Sequence, residues 1–353
     1  GRRPSGRRRG LRRFLVVFCP LGAWVALRSP RGLAESFSAP PARDLPGDVA
    51  QVDVWSFNLR TELRDEQDGP NGWSQRREGV AELISRRRPA LVCVQEATEP
   101  MLEFLAAHAA DGAYAWLGTS RRPGVADESA GFLYDPSRLS LVRHSVSWLA
   151  PPGWKAERPA WGAKCPRTFE EAVFHLVRSD ADGGSAAPHC IRVLNTHLDH
   201  VGVRARSRSA RVLAKAIAAG AREMPGCAQI LCGDFNSPKE GNDVYDVLTS
   251  SAAGLQDVVR SAPADGLPPS TIHKFMGADF DAQVGDGTVV LGALDDTSAP
   301  DARHIDWMLW RNATRGTKLR PVTCEVVRER LQGGGWPSDH FPIAGRFEAF
   351  AEG

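Results

Sequence analysis

Six segments of this chain end or begin in the same few polar residue types. Asn58 closes "WSFN", Glu96 follows "LVCVQ", and His197 and Asp199 end "RVLNTHLD". Asp234 and Asn236 lie in "ILCGDFNSP", His304 and Asp306 open "HIDWMLW", and Asp339 and His340 stand in "PSDHFP". Singly, each has a plain explanation: a cap, a solvated turn, a hydrogen-bonded histidine, or an Asx turn ahead of Pro238. Together they hold what a metal-assisted hydrolase of phosphoesters needs. Glu and Asn offer hard oxygen ligands of the kind Mg²⁺ takes. A carboxylate can orient or deprotonate water, and a His–Asp couple can hold charge against phosphoryl oxygens. Asp234 and Asn236, two apart in an extended strand, would project to one side.

The elements that must position these groups follow from periodicity. "QVDVWSFNLR" alternates as a strand, and "PALVCVQEA" is a continuous apolar run opened by proline, hence a buried strand. "WSQRREGVAELISRRR" carries Val80, Leu83 and Ile84 at helical spacing, and "TEPMLEFLAAHAA" reads as a helix capped by Thr98 with Glu99 in its first turn. "AYAWLG", "SAGFLYDP", "LSLVRHSVSWL", "FEEAVFHLVR" and "CIRVLNTHLDH" read as strands. An amphipathic helix over "RARSRSARVLAKAIAAGARE" follows, then the strand "AQILCGDFN" and the helix "GNDVYDVLTSS". "RHIDWMLWR", "VTCEVVRER" and "FPIAGRFEAF" complete the strand set. Between Pro263 and about Asp301 a polar stretch reads as an insertion near the site. Strand groups separated by helices favour a sheet core covered by helices, one domain over residues 52–350.

Composition is ordinary for a globular chain of 353 residues, with 42% apolar and 24% charged residues. Nine arginines and no acid lie in residues 1–32, so the formal net charge of +2 conceals −7 over the remainder. An acidic body gives no global electrostatic case for binding nucleic acid. Residues 1–38 read as a targeting segment: a basic run, then a 14-residue apolar stretch from Phe14 to Leu27. That is short for a membrane span of ~20 residues and suits a signal peptide or signal anchor. Residues 39–51 read as a linker. The expectation is a secreted or secretory-pathway protein, with membrane contact through the anchor as one alternative and a plastid destination through a compound signal as another. "NAT" at Asn312 is a glycosylation acceptor if the chain enters a secretory lumen. Seven cysteines without CxxC spacing argue against zinc, and Cys93 and Cys232 read as buried thiols. Cys165 and Cys190 could pair in an oxidising compartment, a pairing that spacing alone leaves open.

The ordered set "FNLR", "VQEA", "NTHLDH", "GDFNSP", "HIDW" and "PSDHFP" resembles the endonuclease/exonuclease/phosphatase superfamily, from about Val52 to Phe347. The resemblance implies the deoxyribonuclease I-like fold: α/β, a four-layered sandwich of two facing, mostly antiparallel sheets covered by helices. It implies Mg²⁺ or Mn²⁺ at Glu96, with Asn58 and Asp339 beside it. It makes Asp234 the residue that activates water, Asn236 a contact of the scissile phosphate, and His340 the stabiliser of phosphoryl oxygens, oriented by Asp306. His197 stands where some DNA-repair members carry Tyr, which turns the resemblance away from abasic-site endonucleases and toward the branch with an NTHLDH-type histidine. Arg167 in "CPRTF", Asp199 in "HLDH" and His273 in "STIHKF" are further candidates for substrate contact or its support.

The substrate does not follow from these residues. Arg204, Arg206, Arg208 and Arg211 read as a solvated helix face rather than a nucleic-acid track. A small phosphorylated molecule is as well supported as a polynucleotide, and no obligate protein partner is implied. A non-catalytic or membrane-tethered binding protein on the same fold is the alternative; it would be expected to have lost some of these positions, and none is lost.

Overall fold

A computed structural model describes residues 49–177, 188–239, 243–262, 270–280 and 304–351. The targeting segment, most of the linker, and residues 263–269 and 281–303 of the expected insertion lie outside the described residues.

Among the described residues, twelve strands form two six-stranded sheets. The first contains β1 (Ala50–Asn58), β2 (Leu91–Gln95), β3 (Ala115–Leu117), β4 (Phe132–Tyr134), β11 (Thr317–Val326) and β12 (Ile343–Ala351), in the order β11-β12-β1-β2-β4-β3. The second contains β5 (Leu139–Trp148), β6 (Thr168–Leu176), β7 (Cys190–His197), β8 (Cys227–Asp234), β9 (Gln256–Asp257) and β10 (Asp306–Arg311), in the order β5-β6-β7-β8-β10-β9. Two central pairs, β1 with β2 and β7 with β8, are parallel. The other neighbours run antiparallel, which gives the mostly antiparallel pair of sheets expected from the sequence. The helices are α1 (Asp65–Asp68), α2 (Trp73–Arg87), α3 (Glu99–His108), α4 (Val203–Glu223), α5 (Asp243–Thr249) and α6 (Val258–Ser261).

Three apolar layers explain why the central strands read as unbroken apolar runs. Val54, Leu91, Cys93, Val193, Ile230, Cys232 and Met308 point into the space between the sheets. Their strand neighbours Trp55, Phe57, Val92 and Val94 face outward onto Val80, Leu83, Ile84, Met101 and Leu105 of α2 and α3. Leu194, Leu231, Trp307 and Leu309 face the other way, onto Leu213, Ile217 and Leu248 of α4 and α5. With both faces of each central strand covered, alternation vanishes and the fold becomes helix–sheet–sheet–helix. The expected helix cap is present: the Thr98 hydroxyl accepts from the Met101 amide at the start of α3.

Two sequence expectations change. The disulfide joins Cys190 to Cys227, not to Cys165, which is a free thiol. Cys190 and Cys227 are register partners at the first residues of β7 and β8, a pairing visible only once the parallel register is known. Arg206 does not belong to a solvated face: it is buried and its guanidinium donates to the Asp199 carbonyl at 2.9 Å. Arg204, Arg208 and Arg211 are exposed as expected. Asn312 is half-buried, and its side-chain oxygen accepts from the Leu319 amide at 2.7 Å.

Candidate active site

Strand register gathers the polar residues at one end of the sandwich. In the second sheet His197, Asp234 and Asp306 are direct neighbours on three adjacent strands, β7, β8 and β10. In the first sheet Asn58 is level with Gln95, so Glu96 stands one residue past the end of β2. Glu96 has φ +58°, a left-handed conformation uncommon for a side-chain-bearing residue. Asp339 and His340 arrive on the loop before β12. Ser338 fastens that loop by donating to the Asn58 carbonyl at 2.6 Å, and Thr271, Ile272 and His273 pair with its backbone. Arg76, buried on α2, donates to the carbonyls of Leu59, Arg60, Asn71 and Pro337 and ties the same loop to the end of β1.

Six side chains then meet across the gap between the sheets. The Asn58 carboxamide nitrogen donates to Glu96 Oε1 at 3.2 Å and to Asp234 Oδ2 at 3.0 Å. The Thr61 amide donates to Glu96 Oε2 at 3.2 Å. Asp234 Oδ2 lies 3.5 Å from His197 Nε2 and 3.9 Å from His340 Nε2. His340 Nδ1 is 2.9 Å from Asp306 Oδ2, the expected His–Asp couple. Arg60, which the sequence reading passed over inside "FNLR", sits 3.5 Å from Asp339 through Nη1.

The electrostatics assign different protonation states to these groups. Burial raises Asp234, Asp306 adds to it, and against His340 and the Asn236 amide the pKa stands at about 7. Burial disfavours the His340 cation, yet Asp306, Asp234 and Asp339 surround it and lift its pKa to about 10. Burial followed by Arg167, Arg121 and His340 holds His197 well below the ordinary histidine value, so its ring is neutral. Burial also works against charge on Glu96, but Arg60, His340, Asn58 and Thr61 prevail and lower its pKa. For Asp339 burial outweighs His340 and Arg60, and its pKa rises.

Asn236 departs from the simple strand picture. Strand β8 ends at Asp234, and Asn236 has φ +47° beyond it. The two residues stay together because the Asn236 amide donates to Asp234 Oδ1 at 2.9 Å, an Asx turn. The Asn236 carboxamide nitrogen lies 3.0 Å from His197 Nε2 and donates to the Leu198 carbonyl at 3.0 Å. With its nitrogen so used, the ring nitrogen Nε2 of His197 is the acceptor and Nδ1 carries the proton.

The outer candidates divide. Asp199 accepts from the amides of Lys164, Cys165, Val201 and Gly202 at 2.7–3.3 Å, so it organises two loops beside the site. Arg167 is buried, 3.6 Å from Asp199, and its Nη2 lies 3.0 Å from His200 Nδ1. His273 is fully buried, stacked on Phe341 at 3.8 Å, and its backbone amide donates to the Asp339 carbonyl at 2.7 Å. Burial holds its pKa down to about 3, so as placed it is a neutral packing residue rather than an anion contact. Glu128 and Arg121 were missed. They pair at 2.5 Å beside the site, and burial, then Glu96, raises Glu128 to about 7. Their segment, "RRPGVADES", carries no strand or helix signal that would bring it beside Glu96.

A divalent cation fits this chemistry on one side of the cleft better than the other. Glu96, Asp234, Asp306 and Asp339 crowd four carboxyl groups around two cationic side chains, His340 and Arg60. Asp234, Asp306 and His340 come within 4.8 Å of one another through potential ligand atoms. His340 keeps its proton to about pH 10, however, and an imidazolium is no ligand. Glu96 with Asp339 offers hard oxygens without that obstacle. Asn58 turns its nitrogen toward Glu96, while its oxygen accepts from the Arg60 amide at 3.0 Å. To ligate a cation, its carboxamide would have to turn over.

Two facing sheets with acid and base groups at their shared end define the deoxyribonuclease I-like class of fold. The chain belongs to the endonuclease/exonuclease/phosphatase family, whose profile, described as Endonuclease/Exonuclease/phosphatase family, matches residues 55–340. It is therefore a member of a family of phosphoester hydrolases. Solved structures agree on the fold. An endonuclease/exonuclease/phosphatase family protein of Bacteroides thetaiotaomicron superposes with a TM-score of 0.67 at 20% identity, covering 85% of this chain and 95% of that one. A mannosyl-6-phosphatase of the same organism gives 0.66 at 21% identity, over 84% and 99% of the two chains. TDP2 of D. rerio, complexed with a single-strand DNA product, gives 0.58 at 16% identity, over 84% and 99%. No curated protein sequence matches this one significantly.

Proposed function

We propose that this protein is a divalent-metal-dependent phosphoester hydrolase in which Asp234 is the base and the protonated His340 is the electrostatic stabiliser. The observation that carries the reading is the pairing of protonation states. A carboxyl group with a pKa of about 7 lies 3.9 Å from an imidazole that stays cationic to about pH 10. The first can take a proton from water near neutrality; the second need not move a proton to hold negative charge.

In the reaction the water oxygen attacks phosphorus in line as the ester oxygen departs on the opposite side. The water proton passes to Asp234. His340, kept charged and oriented by Asp306, faces the phosphoryl oxygens as their charge develops. Neutral His197 and Asn236 flank Asp234 and fix its orientation, and Asn236 reaches the phosphate only by giving up its bond to His197. Arg167, buried beside Asp199, is the cation this reading would use to bind an anionic part of the substrate. Bound Mg²⁺ or Mn²⁺, held by Glu96 and Asp339 with Asn58 turned to present oxygen, would supply neutralisation of phosphoryl charge.

A small phosphorylated molecule is favoured over a polynucleotide. The sugar phosphatase superposes better than the DNA-bound relative, and the body outside residues 1–32 carries net negative charge. Export through the secretory pathway is part of the same reading and is supported by the Cys190–Cys227 disulfide, a bond that persists in oxidising compartments.

The test is hydrolysis with and without Mg²⁺ or Mn²⁺ of p-nitrophenyl phosphate, bis(p-nitrophenyl) phosphate, hexose 6-phosphates and single-stranded DNA. Glu96→Gln should lower metal-dependent kcat/KM by about 10³-fold or more. A Glu96→Gln protein as fast as wild type sinks the assignment.

A further inference from the structure

Large apolar side chains left in solvent are not scattered evenly over this molecule. Seven stand out among the described residues, and five of them are at the end of the sandwich that holds the site. Leu63 follows Thr61, whose amide binds Glu96. Val125 lies in the loop that ends at Ser129, which bridges to Ala97 beside Glu96. Trp154 belongs to the loop after β5, which closes onto Asp199 through the Lys164 and Cys165 amides. Val201 and Val203 follow His197 on the same Asp199-organised turn. Trp154 is 47% exposed and Val203 64%. Isolated exposed apolar residues need no explanation, but five of seven on loops that bond to one site are what an interaction surface would leave in solvent.

Charge has one sign on two of these loops, those that carry Trp154 and Val201 with Val203, whereas the Leu63 segment holds Glu62, Asp65, Glu66 and Asp68 against Arg64. Over residues 151–164 and 200–208, Lys155, Arg158, Lys164, Arg204 and Arg208 are exposed against one exposed acid, Glu157. None of the five has an ion-pair partner among the described residues. Elsewhere on the surface Arg86, Arg87, Arg320 and Arg346 are each matched to a carboxylate, while Arg222, Arg315, Arg328 and Arg330 are exposed at scattered sequence positions without one among the described residues. Helix α4 sharpens the contrast: it starts at Val203 with no acid in its first turn and no side-chain cap, so its positive end adds to Arg204 rather than being offset.

We infer that these loops form a docking rim for an anionic lipid–water interface, and that the phosphoester delivered to Asp234 and His340 is carried by an amphiphile. Unpaired cations, exposed aliphatic side chains and an exposed tryptophan on the same two loops are the combination that enters a headgroup layer. A nucleic acid would use the cations and could stack on Trp154, but offers nothing to Leu63, Val125, Val201 and Val203. The inference rests on the hydrolase reading only for the class of substrate; the surface itself is separately testable.

Residues 14–27 are apolar too, so vesicle binding by the full chain must be resolved to the rim. Vesicles of phosphatidylcholine with brominated acyl chains, with and without phosphatidylserine, quench tryptophans that reach the membrane. The difference in emission between wild type and Trp154→Phe isolates Trp154. The expected result is quenching of this component with phosphatidylserine present, and about tenfold weaker vesicle binding by V125S/W154S/V201S/V203S. Equal quenching of wild type and Trp154→Phe overturns the inference, since contact would then be made by the N-terminal segment. Shielding of Trp154 by a single-stranded oligonucleotide but not by vesicles also overturns it, in favour of a nucleic-acid surface. Hydrolysis of soluble p-nitrophenyl esters reads the other proposal independently. It should be unchanged in the four-residue variant, and its absence in wild type would reject the hydrolase reading while the quenching result stands.

Discussion

Strands β7 and β8 are bonded side by side along their whole length, yet their two ends are built on opposite terms. At the start, register partners Cys190 and Cys227 are joined covalently. At the finish, partners His197 and Asp234 carry a depressed imidazole and a carboxyl raised to about 7. Positive φ at Glu96 and Asn236 and four crowded carboxyl groups belong to that second end. One end lowers the free energy of the fold and leaves chemistry out; the other accepts unmatched charge and backbone strain to hold reactive groups still. The sheet between them, buried on both faces, lets the first end support the second.

The comparison is broken most severely at Asp234. Asp234→Asn should cost about 10³-fold or more in kcat/KM and yet stabilise the metal-free protein by more than about 1 kcal/mol above neutrality. The pH dependence follows from the raised pKa. Folded Asp234 keeps its proton to about 7, while the unfolded chain releases it near 3.8, so stability is lost as pH rises between those values. The advantage of the Asn variant should thus be absent at the acid end, grow through that window and then level off. His340 runs in the same direction higher up: its contribution is full below 6.5 and gone once pH passes about 10. Denaturant titrations of wild type, Asp234→Asn and His340→Gln across pH check both, and a pH-independent difference for Asp234→Asn would refute the unmatched-charge account.

Next in size is the covalent end. Its 37-residue separation encloses the crossover through α4, and removing it as Cys190→Ala/Cys227→Ala should lower stability by about 4 kcal/mol. Catalysis at temperatures where the variant is folded should stay at the wild-type level. A matching fall in kcat would show that the two ends are not separable and that the disulfide positions His197.

How much of this was legible beforehand differs between the two ends. The reactive end announced itself, because Asn58, Glu96, His197, Asp234, Asp306, Asp339 and His340 each stand beside an apolar run that predicts a strand. Strand ends need only local pattern to be read. The disulfide needed the parallel register of β7 and β8, which no spacing encodes, and Cys165 was as good a partner on paper. Arg206 was read as solvent-facing because an arginine on an amphipathic helix usually is, but Asp199 supplies a buried carbonyl that accepts it. Arg60, Glu128 and Arg76 were silent for a related reason: their partners lie across loops whose paths depend on the finished fold. Asn236 was right in place and wrong in geometry, since the strand stops two residues earlier than alternation assumed.

That last detail sets the smallest and sharpest test. At φ +47°, Asn236 occupies a conformation that glycine takes freely and alanine resists by about 1 kcal/mol. Asn236→Gly and Asn236→Ala both lose the carboxamide contacts to His197 and the Leu198 carbonyl, and should lose activity together. They should differ in stability, with Gly above Ala by about that amount. Equal stabilities would mean that the backbone relaxes out of the left-handed region once the side chain is gone. The strain would then be made by the carboxamide bonds rather than imposed by the end of β8, and the reactive end would be less rigid than its neighbour contacts imply.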